Sequence, residues 1–324
     1  MDIWDCIIVG SGSAGATAGI YASRGCVKNL LLTGKQWGGL LTTTHIVENF
    51  PGIFPAVSGY ELMEIMLRQA AHYGTIIKEE EAMEVLAIEN HPLTQCQLFK
   101  ITTDKATYYG KSVVWATGST PKRLDAPGED ALENKGVSYC ATCDGFLYKN
   151  KVVAVVGGGN SAMEEALFLS NIVHRVNVIH RRDGFRGEAI LYNEMVNNDK
   201  IQLNTFKVVE GIHGKDGVES ITIKDVNTNE ITEIPVDAVF IAIGHTPNTQ
   251  LIKAMIHLDG HGYVNAVNTH TNVPGFFVAG DVQDSVYRQA VTAASSGCIS
   301  AMEVIKYLNG LGQESVSLDP LTYS

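Results

Sequence analysis

The chain has 324 residues, 45% hydrophobic and 18% charged, with a formal net charge of −11. That balance fits a soluble, globular protein of one large or two medium domains and excludes a disordered chain. The acidic excess argues against a nucleic-acid partner, and no run of 18 apolar residues marks a membrane-spanning helix.

The N-terminus, Met1-Asp2-Ile3-Trp4-Asp5, lacks a basic region and leads straight into an apolar strand, so no secretory signal is expected. The six cysteines fall at 6, 26, 96, 140, 143 and 298. Four are scattered and two are close, which is no disulfide scaffold; reduced cytosolic thiols are the default.

In chain order, apolar runs predict buried parallel strands at Asp5–Val9, Leu30–Thr33, Ser112–Ala116, Val152–Val156, Val176–Ile179, Ala238–Ile243 and Phe276–Ala279. Helical periodicity predicts helices over Ala14–Ser23, Gly59–Tyr73, Ser161–Ser170 and Ala290–Leu308. Alternating strands and helices imply an α/β chain with parallel sheets. Two Gly/Pro loops, Gly118-Ser119-Thr120-Pro121-Lys122 and Gly244-His245-Thr246-Pro247-Asn248, each end a predicted strand. They suggest one domain inserted in another: residues 1–118 and 248–324 as host, 119–247 as insert.

Gly10-Ser11-Gly12-Ser13-Ala14-Gly15 follows a strand and opens a helix. In that context Gly10 permits a tight turn, Gly12 lets a pyrophosphate approach the backbone, and Gly15 lets helix and strand pack closely. The acid usually found about twenty residues later is absent, since the second strand ends Leu32-Thr33-Gly34-Lys35. A second such turn, Gly157-Gly158-Gly159-Asn160-Ser161-Ala162, also sits between a strand and a helix, so two dinucleotides are expected. Its next strand ends in Ile179-His180-Arg181-Arg182, with Arg186 close behind. Arginines there match a 2′-phosphate and favour NADP(H) over NAD.

Gly280-Asp281 ends a predicted strand, where a carboxylate can hold a ribityl or sugar hydroxyl or simply make a turn. Cys140-Ala141-Thr142-Cys143 lacks the second ligand pair of a zinc site and reads as a redox dithiol. Asp144 follows, as a proton donor or acceptor for a thiolate or as the start of an Asx turn with Gly145. Cys6 and Cys298 are expected in the core. Cys26, Cys96 and the lone histidines His45, His72 and His261 form no ligand cluster.

Together these segments resemble the low-molecular-weight thioredoxin reductases, the class II FAD/NADPH pyridine nucleotide-disulfide oxidoreductases. The resemblance also runs through Gly38–Thr44, Glu48-Asn49-Phe50-Pro51-Gly52, Ala116-Thr117-Gly118, His180–Arg186, Gly280–Asp284 and Tyr287–Ala290. It implies two Rossmann-like, three-layer domains, with the NADPH domain inserted in the FAD domain. It further implies that FAD is held by Gly10, Gly12, Ser13, Ala14, Gly15, Gly39, Leu40, Thr44, Asn49, Ala116, Thr117, Gly118, Gly280, Asp281, Arg288, Gln289 and Ala290. NADPH is implied at Gly157, Gly159, Asn160, Ser161, Ala162, His180, Arg181, Arg182, Arg186, Ile243 and Gly244. Catalysis falls to Cys140, Cys143 and Asp144, with Cys143 nearer the flavin and Asp144 the general acid.

The implied protein is a cytoplasmic homodimer that reduces thioredoxin. A related flavin disulfide reductase using ferredoxin, or serving another small redox protein, is the alternative. Because dithiol and nicotinamide site share the insert, the insert is expected to rotate about the two Gly/Pro loops. The chain departs from the family at Leu40, where Gln is common and Leu cannot make the amide's hydrogen bonds. It also departs at Ser13 (often Pro) and Gly187 (often Ala). The larger animal enzymes' C-terminal redox extension is not expected, since Ser315–Ser324 holds no cysteine. Nor is an N-terminal thioredoxin-like domain.

Overall fold

The computed structural model describes residues 2–44, 46–88 and 97–314. His45 and Cys96 lie outside the described residues. The chain opens with β1 (Ile3–Val9), α1 (Ser13–Arg24), β2 (Asn29–Leu32), a 3-10 turn at Leu40–Thr43, α2 (Gly59–His72) and β3 (Ile76–Lys78). Next come β4 (Ala82–Ile88), β5 (Leu98–Thr103), β6 (Thr107–Trp115) and the short β7 (Ser119–Pro121).

A second set follows: β8 (Val137–Ser138), α3 (Ala141–Asp144), β9 (Val152–Val156), α4 (Asn160–Ser170), β10 (Arg175–Ile179), α5 (Ala189–Val196) and β11 (Ile201–Asn204). It continues through β12 (Lys207–His213), β13 (Ser220–Asp225), β14 (Ile231–Pro235), β15 (Ala238–Ile241) and β16 (His245–Pro247). The chain closes with β17 (Phe276–Val278) and α6 (Ala290–Glu314). Contacts divide it into two compact units, Met1–Thr120 with Thr246–Ser324, and Pro121–His245.

In the first unit the sheet runs β3-β2-β1-β6-β5-β4, and β17 pairs with the end of β6. Strands β3, β2, β1, β6 and β17 are parallel. Their side chains alternate between two apolar layers. Ile8, Leu31, Val114 and Phe277 pack toward α1, α2 and α6. Ile7, Leu30, Leu32, Trp115 and Phe276 fill the opposite layer. Burial on both faces explains the unbroken Val/Ile/Leu runs. The antiparallel β4 and β5 were not legible in those terms, because β4 is largely exposed and interleaves Glu84 with apolar residues.

The second unit repeats the device with a parallel sheet, β11-β10-β9-β15-β8. A separate antiparallel sheet, β12-β13-β14, lies in the same unit. One face of the parallel sheet packs on α4 through Val155, Val178 and Phe240. Val156, Ile179 and Ile241 pack instead with Ile212 and Ile221 of the antiparallel sheet. The two Gly/Pro loops contain short strands rather than open turns, for β7 pairs with β16. Backbone bonds flank that pair, from Lys122 N–H to the Gly244 carbonyl (2.9 Å) and from Asn248 N–H to the Gly118 carbonyl (3.0 Å).

Candidate active site and nucleotide-binding turns

The first glycine turn is built as its residue types require. Gly10 has φ +107°, and a Cβ there would strike the Ala116 carbonyl. A Cβ at Gly15 would strike the Gly10 carbonyl. A Cβ at Gly12 would have nothing within 4 Å, so space is open on that side of the turn. Gly12 also precedes α1 with no side-chain cap, leaving the first helical N–H groups to meet an anion.

Gly39, Ala116, Thr117 and Gly280 of the expected FAD set lie at this turn. A Cβ on Gly39 would lie 3.1 Å from Gly12 Cα, and one on Gly280 would lie 3.0 Å from Ala14 Cβ. Ser13 and Ala14 are buried in the first turn of α1, and Ala116 N–H bonds the Val9 carbonyl at 2.8 Å. Thr117 Oγ1 donates to the Asn248 carbonyl (2.9 Å), and Asn248 Nδ2 returns a bond to the Thr117 carbonyl (2.7 Å). Asn49 Nδ2 reaches Gln289 Oε1 at 3.5 Å, beside Ala290 at the start of α6. Arg288 adopts φ +49°, its N–H bonded to Asp284 Oδ2 at 3.2 Å. The Thr44 carbonyl accepts from Gly59 N–H, and Leu40 is 42% exposed at the start of its 3-10 turn.

Asp281 completes the first set. Burial, and then the neighbouring Asp284, push its carboxyl up to about 6 against the opposing pull of Arg288. Among the described residues no hydrogen bond reaches that carboxyl. A half-buried acid without a donor, beside an uncapped helix and an open glycine, fits the hydroxyls and pyrophosphate of FAD.

Sequence reasoning passed over two supports of this turn. Buried Ser11 donates to the Thr33 carbonyl (3.1 Å) and accepts from Gly38 N–H (2.8 Å), tying the turn to the loop after β2. Gly297 lets α6 reach α1, since a Cβ there would strike the Ala14 carbonyl. Ser11 sat inside the motif as a filler position, and a lone helical glycine gives no distinct signal.

The second turn has the same anatomy. A Cβ at Gly157 would strike the Ala242 carbonyl and crowd Ala162, whereas one at Gly159 would have nothing within 4 Å. Gly159 precedes α4 without a side-chain cap. Ala242 leads into Ile243 and Gly244, which places both near the turn. Asn160 Oδ1 accepts from Glu188 N–H (2.8 Å), and half-buried Ser161 follows it in α4.

His180 is only 5% exposed. Its ring lies against Gly158, so that a Cβ on Gly158 would strike it, and its Nε2 meets the Gly184 carbonyl at 3.2 Å. Burial and three nearby arginines hold it below the usual histidine range, against that carbonyl contact. Arg186 N–H bonds the Gly158 carbonyl at 2.8 Å, folding the 180–186 loop onto the turn. Arg181, Arg182 and Arg186 are exposed, and among the described residues none of them is in an ion pair. Three free guanidinium groups beside an open glycine turn fit a nucleotide with a 2′-phosphate.

Cys140 and Cys143 form a disulfide, with Cα atoms 5.3 Å apart. Cys140 stands just before α3 and Cys143 within it. Asp144 makes no Asx turn. Its Oδ2 accepts from Ser138 Oγ at 2.6 Å, and burial raises its carboxyl above the usual range despite that bond. Of the other cysteines, Cys6 is fully buried and its thiol is pushed up to about 12 by burial. Cys26 is exposed. Cys298 is half-buried, not a core residue, because it lies beside Tyr21 of α1, which is itself exposed. No cluster of three metal-ligating side chains occurs among the described residues.

The model of the pyridine nucleotide-disulphide oxidoreductase family matches residues 4–297. The chain belongs to that family, in its low-molecular-weight thioredoxin reductase branch. The thioredoxin reductase of Rickettsia prowazekii (strain Madrid E) is 45% identical over 94% of this chain and 97% of that protein. A Pseudomonas fluorescens protein named glucosaminate ammonia-lyase is also 45% identical, over 95% and 97%. The crystal structure of thioredoxin reductase from Streptococcus pyogenes MGAS5005 superposes with a TM-score of 0.88 at 33% identity, covering 95% of this chain and 99% of the other. This reductase branch has the two-domain FAD/NADPH Rossmann-like fold.

Proposed function

We propose that this oxidoreductase carries reducing equivalents from NADPH to the Cys140–Cys143 disulfide and on to the disulfide of thioredoxin. The closed disulfide at Cys140–Cys143 carries the reading. A lyase needs no such pair, which sets the reductases above the relative named as a lyase. The three unpaired arginines favour NADPH over ferredoxin as electron source.

The unit formed by Met1–Thr120 and Thr246–Ser324 would hold FAD, with Gly10, Gly12 and Gly15 at the pyrophosphate and Asp281 at a hydroxyl. The unit Pro121–His245 would hold NADPH, with Gly157 and Gly159 at the pyrophosphate and Arg181, Arg182 and Arg186 at the 2′-phosphate. His180 would act from beneath the turn. When bound, FAD supplies the two-electron relay between pyridine nucleotide and disulfide.

The rest is the chain's own chemistry. Two electrons and two protons open the Cys140–Cys143 bond to two thiols. One, as thiolate, attacks a sulfur of the thioredoxin disulfide and forms a mixed disulfide, releasing a thiolate that takes a proton. The second then closes the Cys140–Cys143 bond and frees reduced thioredoxin. Asp144, held with its carboxyl easier to protonate than usual, is suited to give and recover those protons.

Rotation of one unit about the β7/β16 connections would let disulfide and nicotinamide take turns. An exposed apolar stripe on α6 at Val291, Ile299 and Met302 supports a homodimer. No helix is long and apolar enough to cross a membrane among the described residues, and we assign the enzyme to the cytoplasm. FAD-loaded protein should turn over NADPH catalytically only when oxidised thioredoxin is supplied, and Cys143→Ser should stop that turnover. Equal turnover by Cys143→Ser, or no turnover with any thioredoxin, would refute the proposal.

A further inference from the structure

Ser138 lies outside the segments that carry the family resemblance, yet it sits at the centre of the redox segment. It ends β8, is 6% exposed, and lies two residues before Cys140. Its Oγ makes three contacts. It accepts from Cys140 N–H at 3.1 Å, meets Asp144 Oδ2 at 2.6 Å, and lies 3.4 Å from the Cys140 carbonyl. A hydroxyl has one proton to give, and the shortest contact, to an ionised carboxylate, is the strongest. The serine therefore donates to Asp144 while accepting from Cys140.

We propose that Ser138 is a positioning residue of the redox site, fixing the Asp144 carboxylate to the backbone of Cys140 and favouring its ionised state. This rests on the reading of Asp144 as the site's acid. The geometry is bistable. When Asp144 takes a proton, its O–H can donate to Ser138 Oγ, and the serine proton can turn to the Cys140 carbonyl. The charge-assisted arrangement is the stronger of the two, so the net effect of the serine is to ease proton release.

Burial acts the other way and is the larger influence on Asp144, and no charged neighbour contributes. Ionisable groups on surrounding elements include Tyr139 after β8, Tyr148 and Lys149 on the following turn, Asp237 before β15 with its ion-pair partner Lys151, and Glu164 and Glu165 on α4, which packs against α3. Of these, the Tyr148 phenol is raised by burial and then by Asp144 and Asp237. The Tyr139 phenol is bonded to Glu129 at 2.7 Å instead. Ser138 is thus the hydrogen-bonding group that offsets the burial of Asp144.

The test uses full-length, FAD-loaded protein with its disulfide closed. The Asp144 carboxyl is followed against pH by carbon-13 NMR, with Asp144→Asn to identify its signal. Ser138→Ala should move its protonation equilibrium about tenfold toward the acid form, so that it titrates at higher pH. Ser138→Thr, which keeps the hydroxyl, should titrate as the native protein does. Ser138→Cys, of similar size and a weak donor, should follow Ser138→Ala and covers the case in which alanine fails to fold. The high-pH limb of the thiol–disulfide exchange rate should move in the same direction.

A native-like titration in either folded variant that lacks the hydroxyl would overturn the proposal. So would a threonine variant that titrates like alanine. Because the titration is read without turnover, a displaced signal in a protein inactive toward thioredoxin would sink the functional reading and leave this one standing.

Discussion

Gly159→Ala separates space reserved for a ligand from space required by the fold. Gly159 has φ −104° and ψ −177°, a conformation open to any residue, and no atom lies within 4 Å of an added Cβ. Alanine loses a little as a helix cap and gains a little by restricting the unfolded chain, so stability without NADPH should change by less than about 1 kcal/mol. A bound pyrophosphate would meet the new methyl. Losing one or more backbone N–H bonds to a charged phosphate costs about 1.5–3 kcal/mol, or about tenfold to a hundredfold in affinity.

Gly157→Ala is the control. Its Cβ would meet the Ala242 carbonyl and the Ala162 side chain, both held in the sheet and helix core. Overpacking there should cost about 1–3 kcal/mol before any nucleotide is added. Urea unfolding gives the stabilities, and calorimetric titration of FAD-loaded protein gives NADPH affinity. Native-like NADPH affinity in Gly159→Ala, or unfolding of that variant with Gly157→Ala left stable, would refute the reasoning.

Three further outcomes are expected. Arg181→Ala and Arg182→Ala should each raise the KM for NADPH about tenfold or more and leave that for NADH unchanged, measured by steady-state kinetics. Glu129, 2% exposed, accepts from Tyr139 Oη, Leu124 N–H and Ala126 N–H and lies 3.7 Å from Arg123 Nε. Glu129→Gln should therefore cost about 1–3 kcal/mol in urea unfolding, with a measurable coupling to Tyr139→Phe in a double-mutant cycle. Asp281 is raised from an ordinary 3.8 to about 6 by burial, so the folded flavin-free protein binds a proton that the unfolded chain releases. Its contribution is favourable below about pH 4 and is lost as pH rises through about 6. Asp281→Asn should then be more stable than the native chain at pH 7 and lose FAD affinity; equal stability at both pH values would contradict this.

How much was legible follows from which forces leave a local trace. Val152–Val156 is buried in the middle of a parallel sheet, so its run is unbroken and its predicted and observed bounds agree. The glycine turns were legible because Gly10 and Gly157 face carbonyls that exclude any side chain. Strands β12, β13 and β14 were not, because they pair antiparallel with mixed polar and apolar residues and leave no unbroken run. His180 reads in sequence as a basic neighbour of two arginines, but only the fold turns its ring under Gly158. Ser138 and Asn248 act through hydrogen bonds to residues distant in purpose, not through a spacing, and such bonds have no pattern in one sequence.

The most direct test of the central claim is differential alkylation of FAD-loaded protein, read cysteine by cysteine by mass spectrometry before and after NADPH is added without thioredoxin. Cys140 and Cys143 should be unlabelled before NADPH and both labelled after it, while Cys6 should stay unlabelled in the folded protein throughout. Labelling of the pair before NADPH, or no labelling after it, would contradict the account.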